Sequence, residues 1–367
     1  MSRTVYLHVG APKTGTTYVQ DRLFNNRAEL AGRGIHYPIG QNRDMFGAAL
    51  DLIDRPWGGL REQVHGEWEA LVRRIRRTSG TVIVSHEILA GARPGQVERA
   101  MADLAGDEVH IVYTARDIAR QVPAEWQEQV KHNGRNSFRR YLRQVRKAKQ
   151  THANRWFWRV QGLPDVLTRW GRNLPPDRVH LITVPQPGAP HGTLWLRLCE
   201  AVGIDPAWAP EESERSNPSL GGAETTLLRR LNTVLLDEDF SGEEYRSIVR
   251  ETIAHRTLAQ RPEMTRVTLP PGAYDWATEV AESWIEWAEG AKVDVIGDLE
   301  ELLPVRPDPE QPWANPDAPR AREVADAALD ALVAVVLEAG RRPLPEEPLT
   351  TKLNAKMVNA VRRARGR

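Results

Sequence analysis

The chain has 367 residues, and its 50 Lys and Arg nearly cancel 49 Asp and Glu, leaving a formal net charge of +1. That balance argues against a nucleic-acid-binding or membrane-surface protein. A single cysteine, Cys199, excludes an internal disulfide and any cysteine-based metal site.

A reducing, cytoplasmic setting is the expectation. The opening Met1-Ser2-Arg3-Thr4 lacks the apolar stretch and cleavage site of a signal peptide. No segment approaches the roughly 18 continuous apolar residues of a membrane span. In chain order, Thr4–Val9 reads as a strand, followed by a Gly-containing loop and a helix through Asn25. Gly34-Ile35-His36-Tyr37-Pro38 reads as a short extra strand, and Gln41–Trp57 as a loop and helix suited to contacting a substrate. Glu62–Arg77 is a helix pattern, and Thr81–Ser85 is the next strand. Glu108–Thr114 and Val179–Val184 are further strands, short and apolar as expected when both faces are covered. Between them Ile118, Val122, Trp126 and Val130 recur every four residues, marking one face of a helix. Phe138–Lys149 and Asp165–Arg172 follow as helices. The rhythm predicts an α/β fold with a doubly wound parallel sheet over residues 1–257.

After 257 the character changes, and residues 258–367 read as a helical extension. It holds a Trp-bearing helix at Tyr274–Glu289, a Pro-rich linker at 303–319, a helix at Ala321–Ala339 and a basic tail at Thr351–Arg367. Ligands of such sheets bind beyond the carboxyl ends of the strands, so the residues just after each strand carry the function.

The loop after the first strand is His8-Val9-Gly10-Ala11-Pro12-Lys13-Thr14-Gly15-Thr16-Thr17. Its glycines permit close backbone approach, and the N–H groups at the helix start favour an anion. Lys13 adds a full charge, and Thr14, Thr16 and Thr17 add hydroxyls. An ATP-type loop carries Lys directly after its second Gly. Here that place holds Thr16, and the Lys stands two residues before Gly15. No strong acid for Mg²⁺ ends a later strand, which fits poorly with triphosphate cleavage. Pro12-Lys13-Thr14-Gly15-Thr16-Thr17 resembles the 5′-phosphosulfate motif of sulfotransferases that use 3′-phosphoadenosine 5′-phosphosulfate (PAPS). The resemblance covers about ten residues and implies a P-loop-like sulfotransferase fold with PAPS as donor and no metal. It implies that Lys13 contacts the 5′-phosphate and the bridging oxygen, with Thr14, Gly15, Thr16 and Thr17 holding the phosphate.

The same family carries an Arg at the end of a later strand and a Ser eight residues on, both for the 3′-phosphate. Arg116 matches the first, but Ala124 stands at the second. Arg120, Gln121 and Gln127 are the nearest replacement donors. Arg215-Ser216-Asn217-Pro218-Ser219-Leu220 is similar to an Asn-x-Ser-Leu stretch of bacterial members, which implies Arg215, Asn217 or Ser219 as donor contacts. An N-terminal helix cap is the competing reading of that stretch. His86 and Glu87 follow the second main strand, and either is chemically able to accept the acceptor's proton. Ser85-His86-Glu87 looks like the Ser-x-Glu stretches of the carbohydrate and bacterial branches, which ranks Glu87 above His86, and Gly34–Pro38 resembles a Gly-x-x-Tyr-Pro stretch of the same branches. His8 reads as a buried strand histidine, and Gln127, Lys131 and His132 as candidate acceptor contacts. The acceptor itself, whether small molecule, lipid or carbohydrate, and the oligomeric state stay open. A non-catalytic nucleotide-binding relative and a P-loop kinase are the alternatives.

Overall fold

The computed structural model describes residues 3–40, 44–57, 60–148, 156–214 and 219–341. Six strands form one sheet in the order β2-β3-β1-β4-β5-β6, every neighbouring pair parallel. In chain order these are β1 (Thr4–Gly10), β2 (Ile35–His36), β3 (Thr81–Ser85), β4 (Glu108–Ala115), β5 (Val179–Thr183) and β6 (Asp294–Ile296). The helices between them are α1 (Thr16–Asn25), α2 (Arg27–Gly32), α3 (Asp44–Ile53), α4 (Glu67–Arg76), α5 (Pro94–Asp103), α6 (Ile118–Lys131), α7 (Phe138–Lys147), α8 (Trp156–Gln161), α9 (Leu163–Gly171) and α10 (Thr193–Val202). Then come α11 (Gly222–Val234), α12 (Gly242–Glu244) running into π-helical turns at Tyr245–Thr257, α13 (Tyr274–Ala291) and α14 (Ala321–Arg341). The chain is therefore α/β, a six-stranded parallel sheet flanked by helices.

The main strands fall within a residue of their expected ends because their patterns are nearly all buried. Val5, Leu7, Val9, Val82, Ile111, Val112, Leu181 and Ile182 are inaccessible to solvent. Helices on the sheet must present apolar stripes to it. The face of α6 predicted from its four-residue spacing is buried at Ile118, Val122, Trp126 and Val130. The tryptophans act as anchors: Trp68, Trp126, Trp158, Trp170, Trp195 and Trp284 are all at most 1 % exposed.

The part after 257 supplies more than helices. β6 pairs with β5 over His180–Asp294, Leu181–Val295 and Ile182–Ile296. Helix α13 packs against α6 and α9. The Glu301 carboxylate accepts from Thr183 Oγ1 at 2.6 Å and from Arg197 Nη1 at 2.5 Å, tying the turn after β6 to β5. A polar line crosses the strands here, with His110 Nδ1 2.8 Å from His180 Nε2 and His180 Nδ1 2.6 Å from Asp294 Oδ2. Three residues are too few for a strand pattern, so β6 left no signal in the sequence. The Glu62–Arg77 pattern is broken by Gly66 in the left-handed region at φ 84°, so α4 starts only at Glu67. The tail Thr351–Arg367 lies outside the described residues. Among the described residues no helix is long and apolar enough to cross a membrane.

The chain leaves β1 toward one border of the sheet and β4 toward the other. A crevice opens where those exits diverge, above the carboxyl ends of β1, β3 and β4.

Candidate functional site

A cavity of about 720 Å³ occupies that crevice, within the roughly 300–1,000 Å³ of small-molecule sites. Its walls come from the exits of three strands: Pro12, Lys13, Gly15, Thr16 and Thr17 after β1, Glu87 and Ile88 after β3, and Arg116 after β4. Helix α6 adds Ala124, Glu125, Gln127, Glu128 and Lys131, and Ser219 closes one side. Arg55, Pro56, Trp57, His132 and Trp156 line it as well.

The loop is shaped by its backbone. Lys13 and Gly15 take left-handed conformations, at φ 64° and 88°. The positive φ favours glycine at 15, and a β-carbon there would lie 2.5 Å from Leu194 Cδ2 and push that side chain aside. Val19 N–H donates to Gly15 O at 3.2 Å, the first regular bond of α1. The N–H groups ahead of it have no acceptor inside the helix and suit an anion. Beneath the loop, Ala11 N–H donates to Thr114 O at 2.9 Å, and Thr114 Oγ1 donates to Gly10 O at 2.9 Å. The Pro12 carbonyl accepts from both Gln121 Nε2 and Gln161 Nε2, each at 2.9 Å. Those buried amides fix the turn from behind. Thr14 braces the same turn, because its hydroxyl donates to Ala11 O at 2.6 Å and is buried away from the cavity. His8 is the buried strand histidine expected, 2.8 Å from Ser85 Oγ, with its pKa lowered by burial to about 4.

Lys13 pairs with a residue that the sequence did not single out. Its Nζ lies 2.5 Å from Glu128 Oε2. His132 Nε2 sits 3.1 Å from the other Glu128 oxygen, and Lys131 Nζ 4.0 Å away. Burial opposes the charge on Glu128, but Lys13, His132 and Lys131 outweigh it and hold the carboxyl well below its ordinary range. Burial and Lys13 in turn bring Lys131 down to about 8, against the pull of Glu128. One turn back, burial and Glu128 push Glu125 up to about 7, against Lys13, the Gln161 amide and Arg116. The signal for both acids was present: 121, 124, 125, 128, 131 and 132 recur at helical spacing on the side of α6 away from its apolar stripe.

The two proton-acceptor candidates separate. Glu87 lines the cavity, and Gln20 Nε2 donates to its Oε2 at 3.0 Å. Burial raises its pKa, yet His86, its own backbone N–H, Gln20 and Lys13 together carry it below the usual value. It is therefore ionised at neutral pH. His86 is not in the cavity wall. It caps the short 3₁₀ turn Glu87–Gly91 with Nδ1 accepting from Ile88 N–H at 3.3 Å, and burial lowers its pKa.

Arg116 and Arg120 separate in the same way. Arg116 lines the cavity beside Ala124 and is partly buried, and that desolvation lowers its pKa to about 10. Its Nη2 donates to Arg120 O at 2.9 Å, while its buried Nε has no hydrogen-bond partner among the described residues. Arg120 turns outward to pair with Asp117 and to donate to Pro185 O at 3.1 Å. Ser219 reaches the cavity, whereas Arg215 and Asn217 lie outside the described residues. Gln121 ties the loop as above, and Gln127 donates to Leu220 O, fastening the Ser219 segment to α6. The cap of α11 is Gly221 with no side-chain bond, so the Ser219 hydroxyl is not a helix cap.

Among the described residues no three His, Cys, Asp or Glu side chains gather to hold a metal ion. Comparison with protein-family models, with curated proteins and with solved structures gives no match for this chain.

Proposed function

We propose that the chain is a PAPS-dependent sulfotransferase of P-loop-like fold that sulfates a hydroxyl or amine. The observation that carries this is the convergence of Lys13, Arg116 and Glu87 on one cavity at the carboxyl edge of a parallel sheet. The residues fit the donor. The open amides at the head of α1 and Lys13 suit its 5′ arm, and the unpartnered Arg116 Nε suits an anionic group at the other end. Ser219 and Gln127 stand in the wall with Ala124, where the family has its Ser, and Ser219 brings a hydroxyl.

Bound there, the donor supplies an activated sulfuryl group, whose S–O bond to the 5′-phosphate breaks as a new bond to the acceptor oxygen forms. Lys13 exchanges Glu128 for the phosphate and steadies the charge left on adenosine 3′,5′-bisphosphate. Glu128 tolerates the exchange because His132 and Lys131 remain beside it. Glu87 takes the acceptor's proton, and Gln20 holds the receiving carboxylate in place.

The test is binding without Mg²⁺. Adenosine 3′,5′-bisphosphate at a hundredfold excess over its Kd should stabilise the fold by about 2.7 kcal/mol. Lys13→Ala should abolish that protection. Glu87→Gln should keep it while slowing donor-dependent transfer by roughly 10²–10⁴. Protection by ATP–Mg²⁺ instead would reject the assignment in favour of a kinase. A second reading, a non-catalytic nucleotide-binding relative, is favoured by Ala124. It gains if the bisphosphate protects but the parent protein transfers nothing to any acceptor.

A further inference from the structure

Next to the main cavity lies a smaller one of about 220 Å³, lined by Ile53, Asp54, Arg55, Pro56, Gly91, Arg93, Gln96, Trp156 and Arg159. It shares Arg55, Pro56 and Trp156 with the main cavity and no residue with the phosphate loop. The two spaces are thus one cleft with a partition. The Arg55 guanidinium lies 3.9 Å from the Trp156 ring centre and 5.6 Å from that of Trp57. Trp57 and Trp156 meet edge to face at 5.8 Å, and Trp57 meets His132 at 5.5 Å. These rings make an apolar wall leading from the main cavity into the annex.

The annex is positive. Among the described residues its lining holds three arginines and one carboxylate, Asp54, which is paired with Arg61 at 2.5 Å. Arg55 and Arg93 make no ion pair among the described residues. Burial and then Arg159 lower the pKa of Arg55, while burial, Arg169 and Arg93 lower that of Arg159, partly offset by Asp165. Arg169 itself is engaged by Asp165 and by the Ala90 carbonyl. Arg159 thus opposes both Arg55 and Arg93 across the annex, and an oxyanion bound among them would relieve that opposition. Guanidinium forks match a carboxylate or a sulfate ester with paired hydrogen bonds.

We infer that the acceptor is itself an anion: a small molecule with a carboxylate or sulfate ester gripped by Arg55, Arg93 and Arg159, a ring lying along Trp57 and Trp156, and a hydroxyl presented to Glu87. This rests on the reading of the main cavity as the transfer site. The test compares 4-nitrophenyl β-glucuronide with 4-nitrophenyl β-glucoside, which differ only at C6, a carboxylate in the first and a hydroxymethyl group in the second. Calorimetric titrations are run on the whole protein, with and without adenosine 3′,5′-bisphosphate. The glucuronide should bind at least roughly tenfold more tightly. Arg93→Gln alone should narrow the gap, and Arg93→Gln with Arg159→Gln should close it, with bisphosphate affinity unchanged. Equal binding of the two sugars by the parent, a preference that survives the double substitution, or no binding of either sugar overturns the inference. Failure of the bisphosphate to bind, with the glucuronide preference intact, would overturn the donor assignment and leave the annex standing as an anion site.

Discussion

Glu125 sits one helical turn from Glu128, and its behaviour sets a pH dependence. Burial first, then Glu128, push its carboxyl up to about 7, whereas in an unfolded chain a glutamate titrates near ~4.3. Between those values the folded protein keeps a proton that the unfolded chain has released. The stability this contributes is complete below about pH 4.3 and is lost as pH rises through about 7, by at most ~1.4 kcal/mol per pH unit. Urea unfolding of the parent and of Glu125→Gln between pH 5 and 8 should therefore diverge, the parent losing stability relative to the variant as pH rises. Parallel curves would refute a raised carboxyl. Lys13, Glu87 and Arg116 were legible in the sequence because each lies within three residues of the end of a strand. Glu125 and Glu128 offered only their helical spacing as a signal, and an acid on a helix face looks like a solvated charge until the fold turns that face inward. Thr14, His86 and Arg120 show the reverse. Their chemistry suited the site, but side-chain hydrogen bonds to Ala11, Ile88 and Asp117 turn them elsewhere.

The elements themselves were mostly legible. A buried parallel strand must be short and apolar, and a helix covering it must repeat its stripe, so β1, β3, β4, β5 and α6 declared themselves. The turn between β1 and α1 holds Gly15 in the left-handed region. In Gly15→Ala the left-handed conformation alone should cost about 1–2 kcal/mol, and the added β-carbon meets Leu194. Gly15→Ala with Leu194→Ala removes the contact but not the backbone penalty. The pair should therefore stay less stable than Leu194→Ala alone, measured by denaturant midpoint. Equal midpoints would mean that the turn relaxes freely. Bisphosphate binding should weaken in both variants, because the amides at the head of α1 shift with the turn.

Across the whole molecule, the division at residue 257 becomes an experiment. The later segment supplies β6, the turn carrying Glu301, and α13 with the buried Trp284. A chain ending at residue 257 would bare one side of β5 and the surfaces of α6 and α9 that α13 covers. It should lose the cooperative unfolding transition seen by near-ultraviolet circular dichroism. A sharp transition in the shortened chain would instead make residues 1–257 an independent folding unit. The change in composition after 257 was real, but a change in composition does not mark where packing stops. The three residues of β6 carry too little pattern to correct it.

Both borders of the sheet are stubs, two residues at β2 and three at β6. A long bare border is a template on which a stray chain can zip up, backbone to backbone. Here an intruder would find only a few free amides before the ladder ran out. Short margins of this kind make the sheet a poor template for strand addition by a second chain.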